Sequence, residues 1–297
     1  MKRRIYIDKV YGRLGNHLYR WSHLIAFAQA YDVEVWDLSR NVKQSFLLFP
    51  QLRKKLLPVL NLPTKFWHIP LARWRSSLAK CMRGWVHFRC VKRIQNEAKP
   101  YSLTLDNLFP NGETEVIIDG FNFHVMDALL MKYTDYLRGL FQPDGTVQDA
   151  AHAVLRSLRE NAECIVAVHV RRGDYEEWQD GRYFYDLPYY RQQMLKLDNL
   201  LTDRSVHFIV FSDDRGLDIS AFNGFSCSRA EFTYSQDFDW YLISQADYII
   251  GPPSTYSGWA SFFGNTPMYQ LEPNSDLPTS LEDYRVVQSL TALPKIY

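Results

Sequence analysis

The sequence predicts an α/β chain whose short apolar strands alternate with helices, an order that builds parallel sheets in doubly wound domains. Three observations carry this. Strand-sized apolar runs recur between helical segments from Arg4 to Leu271. The run from Cys164 to Val170 stops abruptly in Arg171-Arg172-Gly173-Asp174-Tyr175, so a buried strand ends in charged groups. The turn cluster Gln142-Pro143-Asp144-Gly145 divides the chain into two pieces of ordinary domain size. The expected domains are residues 1–142 and 143–297, the first carrying a basic insertion over about 40–110.

In chain order, residues 4–8 read as a strand, followed by the glycine loop Gly12-Arg13-Leu14-Gly15-Asn16. A helix of roughly fifteen residues comes next, with Leu18, Trp21, Ile25 and Ala28 on one face. Residues 33–36 and 116–119 read as strands, residues 40–110 as irregular, and residues 125–140 as one helix. Beyond the linker, helices are expected at 147–160, 187–200, 238–246 and 256–263. Strands are expected at 164–170, 206–211, 248–250 and 268–271.

Composition bounds the function. The chain has 297 residues, 46% of them hydrophobic and 15% aromatic, enough for sizeable cores. A net charge of +1 gives no global case for nucleic acid as a partner. Cys81, Cys90, Cys164 and Cys227 show no paired spacing, which fits reduced thiols in the cytoplasm. The first apolar run is too short for a signal peptide, and nothing approaches the ~18 apolar residues of a membrane span. Residues 51–100 hold twelve Lys and Arg against the single acid Glu97, interleaved with Trp67, Trp74 and Trp85. Two readings stand side by side: peripheral contact with an anionic membrane face, or a solvated helical insertion.

The chemistry concentrates at strand ends, where open α/β sheets bind ligands. Arg171 and Arg172, with His169, make the strongest cluster, because a guanidinium fork matches a phosphate. The alternative is an Arg–Asp pair closing a loop. The glycine loop puts helix N-terminal amides within reach of an anion, but taken alone it reads first as an ordinary turn with Asn16 as the N-cap. Asp213 and Asp214 follow the next strand and can hold a ribose or base edge, or can cap a following helix. Asp237-Phe238-Asp239 has the D-x-D spacing of metal-dependent sugar transferases. Its place in a first helical turn favours a structural role, and no metal is expected. Ser254, Thr255 and Ser257 set hydroxyls at a helix start, as a phosphate cradle or as simple capping.

Together these segments resemble the bacterial α-1,2-fucosyltransferases, glycosyltransferase family 11. Gly12-Arg-Leu-Gly-Asn-His17 is similar to that family's G-G-L-G-N-Q, and His169 to Tyr175 matches H-x-R-R-G-D-Y. Phe211 to Asp214 matches F-S-D-D, and Pro252 to Trp259 resembles S-N-S-[ST]-F-S-W-W. Asp119-Gly-Phe121 and Leu187-Pro-Tyr-Tyr190 resemble two further segments, D-G-Y and L-P-x-x-Y-Y. The first loop also resembles the G-R-F-G-N-Q of protein O-fucosyltransferases.

The resemblance implies a GT-B fold, two Rossmann-like domains with a donor-binding cleft between them, residues 1–142 on the acceptor side and residues 143–297 binding the nucleotide sugar. It also implies GDP-fucose as donor substrate, a glycan or lipid-linked glycan acceptor, inversion, and no cofactor. Carried onto this chain, Arg171 and His169 would contact the pyrophosphate, and Arg172 and Asp174 would hold the loop or the fucose. Asp213 would sit near guanosine, Ser254 and Thr255 with Ser257 at phosphate, and Gly15 and Asn16 near the sugar. His17, Pro252, Pro253 and Gly258 depart from the family pattern near the expected donor and acceptor surfaces. Asp174, Glu176 and Glu177 are the candidates for a general base, with a base-free route open beside them. The other readings are a same-fold transferase with another nucleotide sugar, and a non-catalytic nucleotide- or glycan-binding module.

Overall fold

The computed structural model describes residues 2–9, 12–38, 49–56, 84, 86, 92–96, 100–120, 122–230, 236–273 and 277–288. Most of the basic segment 51–100, with Trp67, Trp74 and Trp85, lies outside them, as does Phe121. The chain divides between Asp144 and Gly145 into two compact units, each built on its own parallel sheet.

In the first unit β1 (Arg4–Lys9) pairs in parallel with β2 (Glu34–Asp37) and with β4 (Glu115–Gly120), and β4 pairs with β3 (Lys92–Asn96). The spatial order is β2-β1-β4-β3. Ile5, Tyr6 and Ile7 are fully buried, as expected of a central parallel strand covered on both faces. The register slips between Ile7 and Lys9, a bulge at the end of β1 just before the glycine loop. Helix α1 (Leu14–Tyr31) buries every residue from Leu14 to Ala28 except Asn16, so it is a core helix rather than a surface one.

Three expectations need correction here. Lys92–Asn96 is a strand inside the supposed insertion. Among its described side chains Ile94 alone is buried, and Lys92-Arg93-Ile94-Gln95-Asn96 contains no apolar run to recognise. The expected helix over 125–140 is two, α2 (Asp127–Lys132) and α3 (Thr134–Leu140), broken at Tyr133. The Thr134 hydroxyl bonds back to the Leu130 carbonyl, competing with the helical ladder. Arg13, not Asn16, occupies the N-cap of α1, which leaves Asn16 inside the first turn.

The second unit starts with α4 (Gly145–Arg159) and its sheet contains β5 (Cys164–Val170), β6 (Val206–Ser212), β7 (Cys227–Arg229), β8 (Tyr248–Gly251) and β9 (Met268–Gln270). The order is β9-β8-β5-β6-β7, all parallel. β5 is buried along its whole length and centres a core that includes Tyr190, Met194, Leu197, Phe208 and Val210. Helix α5 (Leu187–Leu200) follows β5. Asp186 caps it by accepting the Tyr189 N–H, and Pro188 sits in its first turn, where no N–H is needed. Helices α6 (Gln236–Ser244) and α7 (Thr255–Gly264) flank β8 in the chain. Strand order reverses between β5 and β8, so the crevice beyond their carboxyl ends is where a doubly wound sheet receives a ligand.

Candidate active site

At that switch point the chain leaves β5 through Arg171 and Arg172 and enters a 3₁₀ turn, Gly173–Glu176. Parallel pairing sets Val170 opposite Ser212, so the residues just beyond the two strands meet. The Asp213 carboxylate accepts the Arg172 backbone N–H at 2.9 Å and pairs with Arg171 Nη1 at 2.7 Å. Arg171 also pairs with Asp174, so one guanidinium lies between two carboxylates. Its side chain is 14% exposed, against 60% for Asp174. Gly173 makes this possible: its φ is +30°, and a methyl group there would collide with the Asp213 carboxylate. Asp213 therefore does not cap a helix. The next short helix, Ile219–Phe222, is capped by Asp218, and Asp214 closes a turn onto the Gly216 N–H.

Arg172 has partners of its own. It donates to the Tyr185 carbonyl at 3.2 Å, and its guanidinium lies 4.3 Å over the Phe184 ring, a role in holding the loop. Across the switch point the buried Tyr175 hydroxyl donates to the Pro253 carbonyl at 2.6 Å, tying the turn to the loop after β8. Arg171 lies 5.2 Å over the Tyr175 ring. His169 is buried beside the Tyr256 ring, and a methyl at Gly251 would sit 3.0 Å from its Cβ. Burial, then the Arg171 charge, lowers its pKa to about 3. At neutral pH His169 is thus an uncharged hydrogen-bonding group, not a cation for phosphate. Ser254 caps α7 by accepting the Tyr256 N–H, and Thr255 opens the helix. Ser257 is fully buried beneath this surface. Glu176 and Glu177 are exposed at the end of the 3₁₀ turn.

The structure also brings the D-x-D pair to this side. Asp237 and Asp239 lie in the first turn of α6, and Asp237 is 2% exposed. Burial, reinforced by the Asp237 charge, pushes the Asp239 carboxyl up to about 7. Both carboxylates act on the hydroxyl of Tyr256, whose ring lies against His169. The helix start was readable from the acids in the sequence; their closeness to Tyr256 was not.

A second polar cluster belongs to the first unit. Gly12 has φ +86°, and an added methyl would strike the Asn16 side chain, so the glycine loop folds tightly over Asn16. Gly15 is buried in the same turn. The fully buried Arg20 donates to the Gly120 and Lys9 carbonyls at 3.2 and 3.5 Å and pairs with Asp37 at 3.2 Å. Trp21 donates to the same Asp37 oxygen at 2.7 Å. Asp119 accepts the Lys9 N–H and pairs with Arg93, which also reaches Asp8. These bonds pin the carboxyl ends of β1, β2 and β4 around the start of the loop. Burial, then Arg20, lowers the His17 pKa to about 4, so it stands there as a neutral ring where the family pattern has Gln.

Comparison with known proteins agrees with this architecture. The family profile described as "Glycosyl transferase family 11" matches residues 123–279. An alpha-1,2-colitosyltransferase from Escherichia coli is 26% identical over 200 residues, 59% of this chain and 59% of that protein, so the match spans under two thirds of its length. A point mutant of Arabidopsis thaliana FUT1 in complex with GDP superposes with a TM-score of 0.56 at 15% identity, covering 96% of this chain and 74% of that one. Fucosyltransferase NodZ from Bradyrhizobium gives 0.58 at 14%, covering 94% and 100%. A crystal of NodZ alpha-1,6-fucosyltransferase soaked with GDP-fucose gives 0.57 at 14%, with the same coverage. The two parallel-sheet units are the Rossmann-like halves of the GT-B fold class. The chain belongs to glycosyl transferase family 11.

Proposed function

We propose that this chain is an inverting, metal-independent glycosyltransferase that moves L-fucose from GDP-fucose to a glycan hydroxyl, the 2-hydroxyl of a galactose. One observation carries the reading: Arg171, fixed at the β5–β8 switch point and braced by Asp213, aims a cation where a diphosphate leaving group would rest. The acceptor oxygen bonds to the anomeric carbon as the bond to the β-phosphate breaks. Negative charge then grows on the diphosphate, and a preorganised donor there stabilises the transition state. Asp213 keeps Arg171 oriented, because it is also held by the Arg172 N–H. Asp174, on the exposed side, is the partner a diphosphate displaces. The acceptor proton passes to Asp174, Glu176 or Glu177, or to the departing diphosphate.

The acceptor reading extends to a glycan or lipid-linked glycan met in the cytoplasm at the inner membrane face, through residues 51–100. Among the described residues no helix is long and apolar enough to cross a membrane. A second donor reading is favoured by the Escherichia coli relative: a colitosyl rather than a fucosyl donor. Nuclear magnetic resonance of the product made from GDP-fucose and lactose tests the first reading. An α-anomeric fucosyl signal from the β-linked donor supports inversion, and a β product overturns it.

A further inference from the structure

The turn after Glu177 is built unlike any other surface loop described here. Trp178 begins a second 3₁₀ turn, Trp178–Gly181, in which Gln179, Asp180 and Gly181 have φ of +49°, +57° and +72°. Two consecutive non-glycine residues in the left-handed region are rare, and such strain is kept where the surroundings hold a group in place. Here the held group is the indole. Trp178 stacks on Tyr183 with ring centres 5.4 Å apart and leans on Tyr175 at 4.7 Å. Tyr175 and Tyr183 are each 8% exposed, whereas Trp178 remains partly open to solvent. The loop closes on itself through Asp180 N–H to Glu177 and Arg182 N–H to Gln179 carbonyl bonds. The exposed Asp180 carboxylate stands two residues from the ring.

This pile of rings starts at the reaction centre. Arg171 covers the Tyr175 ring, and Tyr175 touches Trp178, so the half-buried indole lies one ring beyond the cation assigned above to the diphosphate. An acceptor hydroxyl attacking the anomeric carbon must belong to a sugar lying about that far from the diphosphate. Hexose rings carry an apolar C–H face that packs on the electron-rich face of an aromatic ring, and hydroxyl edges that bond to carboxylates. A rigidly backed indole with a neighbouring carboxylate matches both.

We propose that Trp178 is the stacking platform for the acceptor sugar and therefore a specificity-determining residue. This rests on the glycosyl-transfer reading above. The test compares wild type, Trp178→Ala and Trp178→Phe in three measurements. These are fucosyl transfer from GDP-fucose to lactose, binding of methyl β-galactoside in the presence of GDP by saturation-transfer resonance, and GDP affinity by calorimetry. Trp178→Ala should raise the lactose KM by about tenfold or more, a loss of one good aromatic contact. It should change kcat less than KM and leave GDP affinity within about twofold, well inside one factor of ten. Trp178→Phe should recover most of the KM. Equal lactose KM in the alanine variant overturns the platform. A parallel loss of GDP affinity also overturns it, by making Trp178 a nucleobase platform or a packing residue. Should wild type transfer no fucose, the donor assignment fails while the binding arm still decides. Galactoside binding lost only in Trp178→Ala upholds the platform, and no glycoside binding by wild type overturns it.

Discussion

Replacing Arg171 by Ala isolates the group on which the mechanism depends. Its side chain is 14% exposed and pairs with Asp174 and Asp213. Asp213 keeps the Arg172 N–H after the change, and Asp174 is 60% exposed, so neither carboxylate is left buried without a partner. The structural cost is that of a mostly buried pair with Asp213, 14% and 19% exposed, whose carboxylate keeps another donor, about 1–3 kcal/mol. The catalytic cost is larger. Removing one preorganised donor to developing charge raises a barrier by about 3–4 kcal/mol, at least ~100-fold in rate. Arg171→Lys should fall between, because one ammonium cannot serve Asp213 and a diphosphate with a planar fork. Steady-state GDP release from GDP-fucose with acceptor present, beside a thermal melt, separates the two costs. A cooperative melt lowered by no more than several degrees, with kcat/KM down at least ~100-fold, is expected. A folded variant with undiminished kcat/KM would refute the argument.

Other residues give sharper structural tests. Tyr175→Phe removes the hydroxyl that bonds the Pro253 carbonyl, costing about 1–3 kcal/mol, and a melt several degrees lower should accompany weaker GDP binding; full stability would show that the tie is unimportant. Arg20→Met leaves the buried Asp37 without its cation, for which about 3–5 kcal/mol is expected by denaturant melt, and an unchanged midpoint would contradict that pairing. Asp239 binds its proton more tightly folded than unfolded, so it contributes stability at low pH that is lost as pH rises from about 4 to about 7. Asp239→Asn should flatten that part of the stability profile, and an unaltered slope would place the titration elsewhere.

The residues that were legible in the sequence carry local signals. A buried run ending in Arg171 marks β5, and Ser254 before a small-residue helix marks the cap of α7. What was hidden is set by register and packing. Asp213 meets Arg171 because β5 and β6 pair in parallel with Val170 opposite Ser212, and no spacing along the chain announces that. β3 lacks an apolar run, and the break at Tyr133 has neither Gly nor Pro to signal it. Asp237 and Asp239 were recognisable as first-turn acids, yet their effect on Tyr256 exists only once α6 and α7 are packed. Trp178 passed unnoticed because a lone tryptophan after an Arg-rich turn reads as core, and its left-handed neighbours are ordinary polar residues.

The most direct test of the account is release of free nucleotide by the purified chain from a panel of nucleotide sugars, with lactose as acceptor and EDTA present. Selective release of GDP from GDP-fucose, undiminished by the chelator, is the predicted result. Release from a different donor alone would contradict the sugar assignment. Activity abolished by EDTA would contradict the role given to Arg171 in place of a metal. Tight GDP binding with no release from any donor, across several acceptors, would make the chain a nucleotide-binding module instead.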